Sequence, residues 1–202
     1  MKIHFIRHGK RDRRQIGDPT LTAAGRTEAG LLAAALAVEP VAAVYSSPLA
    51  RASETAAIIA TTLGLTVVND GRLRERMNWG DIADQSFDEF IAQWERCSQD
   101  RDYEPAVGGS SRAAGQRLAA FAAACHQSFA TQTVVAVTHG GVLADFLRNV
   151  FTPAELDRVR PAFSLAPYSS EVIPECSVTT LVYDGEDYCL EAIGALLFAP
   201  VD

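Results

Sequence analysis

The sequence predicts an α/β fold built on a mostly parallel sheet. Short runs of β-branched and other apolar residues alternate with Ala- and Leu-rich stretches of helical length. Two of the apolar runs, Ile3-His4-Phe5-Ile6 and Val134-Val135-Ala136-Val137, read as buried strands, and each runs into a histidine followed by glycine. Two such strand exits can meet at one edge of a parallel sheet.

Residues 2–7 are the first strand. Residues 8–20 form a loop that carries Lys10, Arg11, Arg13 and Arg14 and then Gly17-Asp18-Pro19. Thr22 is placed to cap a helix from about Ala23 to Val38. Residues 41–46 are a second strand, and 49–63 a helix stopped by Gly64. Thr66-Val67-Val68 is a short strand. Residues 69–110 are the least regular part, with one helix around 86–96, Trp79 and Trp94, and then Pro105 and Gly108-Gly109. A segment of this kind, inserted over the sheet edge, is a natural place for substrate selection. A long helix at 111–130, a strand at 133–138 and a helix at about 141–150 follow. Residues 153–174 hold a short helix and a loop with Pro153, Pro161, Pro167 and Pro174. Strands at about 176–183 and 188–195, joined through Asp184-Gly185-Glu186-Asp187, close the chain as an antiparallel hairpin.

Composition narrows the function classes. With 202 residues the chain suits one well-buried domain, 1–202, rather than two. A net charge of -7 argues against general nucleic-acid binding, which needs a basic surface. Cys97, Cys125, Cys176 and Cys189 form no CxxC pair and no zinc spacing, so reduced, packed thiols and no metal site are expected. No apolar run has the length of a membrane span, and Met1-Lys2 leads straight into a strand with no signal-type segment. A cytoplasmic protein is the expectation. The final hairpin offers a sheet edge through which a dimer is weakly favoured.

The histidines point to phosphoryl chemistry. A phosphate monoester repels anionic nucleophiles, whereas a neutral imidazole can attack it and give a labile phosphohistidine. His8 is the nucleophile candidate, because Arg7 precedes it and Gly9 leaves room for a phosphate. Charge spread over the transferring group calls for fixed cations and N–H donors. Arg7 and Arg51 supply guanidinium forks, His139 a further donor, and Gly140 opens a helix whose first amides can add to them. Glu75 is the acid/base candidate, protonating the leaving alkoxide and then activating water, with Asp81 as the fallback. His4 and His126 lack such contexts and are read as structural.

Taken together, these segments resemble the histidine phosphatase superfamily, also called the phosphoglycerate mutase-like family. Ile3-His4-Phe5-Ile6-Arg7-His8-Gly9 is similar to its signature strand, and Asp18-Pro19-Thr20-Leu21-Thr22-Ala23-Ala24-Gly25 to its second landmark. Tyr45-Ser46-Ser47-Pro48-Leu49-Ala50-Arg51, with Thr55-Ala56, resembles the segment of the second phosphate arginine. Leu73-Arg74-Glu75 resembles the acid–base segment and Val137-Thr138-His139-Gly140-Gly141-Val142 the second-histidine segment. The resemblance implies a three-layer α/β/α sandwich, no metal or other cofactor, and a phosphohistidine intermediate in the turnover of a small phosphorylated substrate. One departure stands out. After Gly9 the family often has Glu or Gln and then Thr, where this chain has Lys10-Arg11-Asp12-Arg13-Arg14. That change, with an inserted region shorter than in the glycolytic mutases, favours a phosphomonoesterase. Phosphoglycerate mutase activity, dephosphorylation of a phosphoprotein side chain, and a non-catalytic phosphate-ester binding module are the alternatives. Lys10, Arg13 and Arg14 are possible substrate contacts, suited to a second anionic group.

Overall fold

The computed structural model describes residues 1–12, 15–165 and 172–199. Six strands, β1 (Lys2–Arg7), β2 (Val41–Ser46), β3 (Val67–Asn69), β4 (Thr133–Thr138), β5 (Val178–Tyr183) and β6 (Tyr188–Ala195), form one sheet in the order β3-β2-β4-β1-β5-β6. The pairs β2–β3, β2–β4 and β1–β4 are parallel, and the hairpin strands β5 and β6 add antiparallel pairs at one edge. The helices are α1 (Ala23–Leu36), α2 (Ala50–Leu63), α3 (Phe87–Gln99), α4 (Ser111–Phe129), α5 (Gly140–Val150) and α6 (Pro153–Val159). Short turn signals set their ends. The Thr22 hydroxyl accepts from Gly25 N at 3.1 Å, Ser86 and Glu89 close a capping box on α3, and Gly64 ends α2 in the left-handed region at φ 69°. Strand β5 starts at Val178, two residues later than the sequence suggests, because Cys176 turns at φ 54°, while β6 spans the expected residues.

Strand alternation divides the core into two. Ile3 and Phe5 of β1, with Val134 and Ala136 of β4, pack on Leu118, Phe121 and Phe146 from α4 and α5. Ile6, Val135 and Val137 point the other way, onto Leu32, Ala56 and Ile59 from α1 and α2. Both faces of the sheet are therefore covered, which makes the expected three layers and explains why the central strands are apolar almost throughout.

The register positions the site. Arg7 pairs with Thr138, so His8 and His139 lie side by side one residue past the paired ends of β1 and β4. Ser46 pairs with Val137, which brings Ser47 and the start of α2 to the same edge. This is the carboxyl edge of the parallel strands, where open α/β sheets hold their ligands.

Candidate active site

His8 is buried, 4% exposed, and each ring nitrogen has one partner. Nδ1 lies 2.8 Å from the Gly9 carbonyl, and the Arg51 Nε–H points at Nε2 from 3.2 Å. A carbonyl only accepts and a guanidinium only donates, so Nδ1 carries the proton and Nε2 keeps its lone pair. Burial, then the charges of Arg51 and Arg7, hold the His8 pKa well below 6.5, so the ring is neutral at neutral pH. Burial first, then the charges of Arg51, His8 and Arg7, lower the His139 pKa in the same direction. The two rings meet edge to face at 5.1 Å. His139 Nε2 lies 2.8 Å from the Ser47 hydroxyl, which itself accepts from Leu49 N at 3.3 Å. His139 Nδ1 is buried and without a hydrogen-bond partner among the described residues.

Arg51 enters from the first turn of α2. Burial lowers its pKa to about 10, so it stays charged at neutral pH. Its Nη1 lies 3.6 Å from Asp18, whose carboxylate also accepts from Ala50 N at 2.8 Å. Arg7 is held by the Ile173 carbonyl at 2.7 Å and by Glu175 at 3.5 Å. Gly9 is also a point of close packing. A Cβ there would press on the Gly25 carbonyl at 3.0 Å and on Cys176 Sγ at 3.1 Å, so the missing side chain lets the loop pack against α1.

Glu75 follows a 3-10 turn, Gly71–Leu73, tied to β4 by the Thr138 hydroxyl donating to Leu73 O at 2.8 Å. Its carboxylate sits on the N-terminus of α5. Oε2 accepts from Gly141 N at 2.9 Å, and Oε1 accepts from Val142 N at 2.7 Å and Arg76 N at 2.9 Å. The helix amides expected to face a phosphate are thus in part given to Glu75. Asp81, the fallback, pairs instead with Arg74 at 2.9 Å and does not line the main cleft.

His8, Arg7, Arg51, Glu75 and Gly140 line one cleft of about 270 Å³. His139 is buried behind His8 and is not among the lining residues. Lys10 is exposed outside the cleft, Arg13 and Arg14 lie outside the described residues, and Arg11 is the loop cation that does line it. Sequence reasoning passed over three features. Arg76, fully buried, donates to Asp145 at 3.1 Å, to Ser111 and Ser98 at 2.7 Å, and lies 3.8 Å over the Trp94 ring. Ser47 fixes the orientation of His139. The third is the aromatic wall of the cleft, signalled by Phe87, Phe90, Ile91 and Trp94 at the spacing of one helix face.

The model of the histidine phosphatase superfamily (branch 1) matches residues 3–195. The chain belongs to that superfamily. It is an enzyme of the histidine phosphatase type, and its mixed six-stranded sheet flanked by helices is the phosphoglycerate mutase-like fold of its neighbours. A probable phosphoglycerate mutase GpmB of Yersinia pestis (strain Pestoides F) is 30% identical over 170 residues, 78% of this chain and 79% of that protein. Among solved structures, YhfR of Bacillus stearothermophilus superposes with a TM-score of 0.72 at 26% identity, covering 98% of this chain and 99% of that one. A mycobacterial glucosyl-3-phosphoglycerate phosphatase, solved with inorganic phosphate, superposes with a TM-score of 0.74 at 26% identity, covering 97% and 98%. Among the described residues no helix is long and apolar enough to cross a membrane.

Proposed function

We propose that this histidine phosphatase is a metal-independent phosphomonoesterase for a small phosphorylated metabolite, working through a phosphohistidine on His8. The observation that carries the proposal is the pair of hydrogen bonds that leaves Nε2 of a neutral, buried His8 as the basic nitrogen. Nε2 attacks phosphorus as the P–O bond to the alcohol breaks, and Glu75 passes its proton to the departing alkoxide. Water then attacks the phosphorus, Glu75 takes a proton from it, the P–N bond breaks, and inorganic phosphate leaves. Arg7, Arg51 and His139 hold the charge of the transferring group, with Gly140 at the phosphate end of the cleft. The 69–110 segment, within a single domain, selects the substrate.

The name of the 30% identical relative favours a second reading, phosphoglycerate mutase activity. One experiment separates the readings. Phosphate release from p-nitrophenyl phosphate is measured in excess EDTA for the unmodified protein and for His8→Ala, alongside product analysis with 3-phosphoglycerate. The proposal expects EDTA-resistant turnover that His8→Ala abolishes, with free phosphate from 3-phosphoglycerate. Conversion to 2-phosphoglycerate in place of free phosphate would establish the mutase. Ester binding without any turnover would make the protein a binding module.

A further inference from the structure

The helix α3 is amphipathic, yet its apolar stripe is not sealed in the core. Cys97 is its one buried residue. Phe90, Ile91 and Trp94 are half-buried and Phe87 is 49% exposed. All four line the cleft that holds His8. An apolar helix face left open to a cleft is expected to have a ligand to cover it.

The wall is continuous and preformed. Trp79 meets Phe87 edge to face at 5.0 Å, Phe87 lies 6.4 Å from Phe90, and Phe90 lies 6.0 Å from Trp94. Two of its rings are tied to the protein. The Trp79 indole N–H donates to the Gln85 carbonyl at 3.1 Å, and Trp94 is clamped under Arg76 at 3.8 Å. The cleft also holds charged groups. Arg7, Arg51 and Arg11 act electrostatically on His8. Arg148, which also lines the cleft, donates to the Phe163 carbonyl at 3.3 Å and lies over its ring at 5.1 Å. Glu175, also in the lining, is paired with Arg7 at 3.5 Å.

We infer that the alcohol part of the substrate is an apolar ring or short hydrocarbon chain, seated on Trp79, Phe87, Phe90 and Trp94, and not a second anionic group. The volume, about 270 Å³, is at the small end for a small-molecule site and suits a phosphate with one such group. The inference rests on the phosphomonoesterase reading.

The test compares kcat/KM for 2-phenylethyl phosphate, glycerol 3-phosphate and 3-phosphoglycerate. All three release a primary alkoxide, so leaving-group basicity does not decide the ranking. The expected result is a preference for 2-phenylethyl phosphate of roughly tenfold or more over both polar esters, the discrimination an apolar pocket gives. Phe90→Ala is expected to remove most of that preference while changing the polar esters by about twofold or less. Phe87→Ala, at a half-exposed position that cannot threaten the core, is expected to act in the same direction. Equal or better turnover of 3-phosphoglycerate, or loss in Phe90→Ala that is uniform across the three esters, would overturn this inference and leave the phosphatase reading standing. No phosphate from any of the three, nor from p-nitrophenyl phosphate, would overturn both.

Discussion

At the scale of the residue, the catalytic proposal turns on one proton. His8 has to be neutral to attack, and burial with Arg51 and Arg7 lowers its pKa well below 6.5. The neutral form therefore persists as pH falls through 6.5, and protonation sets in only below. In an NMR titration of the free enzyme the His8 ring is expected to show no transition near 6.5. In Arg51→Ala, which removes a repelling charge, its transition moves to higher pH; an unmoved or lower transition would contradict this. Glu75 has a different signature. In Glu75→Gln, turnover of an alkyl phosphate is expected to fall by about 10²–10⁴-fold, and that of p-nitrophenyl phosphate by much less, since p-nitrophenolate leaves without a proton. Equal losses for both would mean that Glu75 serves only to hold α5. Much of this residue-level picture is legible in the chain itself. Arg7-His8-Gly9 and Ser47-Pro48-Leu49-Ala50-Arg51 are short motifs whose parts stay adjacent after folding. Ser47 as the partner of His139, and the seat of Glu75 on α5, are contacts across 92 and 66 residues, and no local pattern encodes them.

At the scale of the element, the N-terminus of α5 organises the acid/base group. Gly141 is the point of closest approach. A Cβ there would clash with Trp94 Cη2 and lie 2.7 Å from Glu75 Oε1. Trp94 cannot retreat easily, since Arg76 lies over its ring at 3.8 Å. Gly141→Ala is therefore expected to displace Glu75 and to lower kcat for alkyl phosphates by about tenfold or more, with a loss of stability of about 1–3 kcal/mol from overpacking. Gly140→Ala is the comparison for stability: its nearest neighbours would be atoms of the Arg7 side chain, at 3.3 Å and beyond, so it crowds a phosphate-binding group without the severe clash at Gly141, and a smaller loss of stability is expected. Kinetics and urea unfolding of the two variants decide the matter; equal losses of stability would refute the packing argument. The helices and strands themselves were readable from periodicity and caps, because Thr22, Gly64 and the apolar runs act locally. The irregular stretch between β3 and α3 was not, because long-range contacts shape it. Asn78 Nδ2 donates to the Gly17 carbonyl at 2.9 Å, and the Trp79 carbonyl accepts from Gly17 N at 2.9 Å, across some sixty residues of chain.

At the scale of the whole molecule, the buried titratable groups shape stability in opposite directions. His8 and His139 are held neutral, so below pH 6.5 the unfolded chain binds protons that the folded chain refuses. Stability then falls as pH falls, by at most about 1.4 kcal/mol per pH unit for each histidine. Asp145 works the other way. Burial, outweighing the attraction of Arg76, raises its pKa from 3.8 to about 6. Between those values the folded chain holds the extra proton, so this group gains stability as pH falls from 6 towards 4 and loses it as pH rises through the same window. The two effects oppose each other below pH 6, and one aspartate offsets about half the slope of two histidines, which predicts a profile flat above neutrality and declining from 6.5, less steeply below 6 than the histidines alone would make it. In Asp145→Asn the opposing contribution is gone, while an amide oxygen still accepts from Arg76. Urea unfolding between pH 4.5 and 8 is expected to show a steeper acid decline in Asp145→Asn than in the unmodified protein. Parallel curves would mean that Asp145 stays charged in its pair with Arg76 throughout that range, and that the histidines alone set the acid limit of the fold.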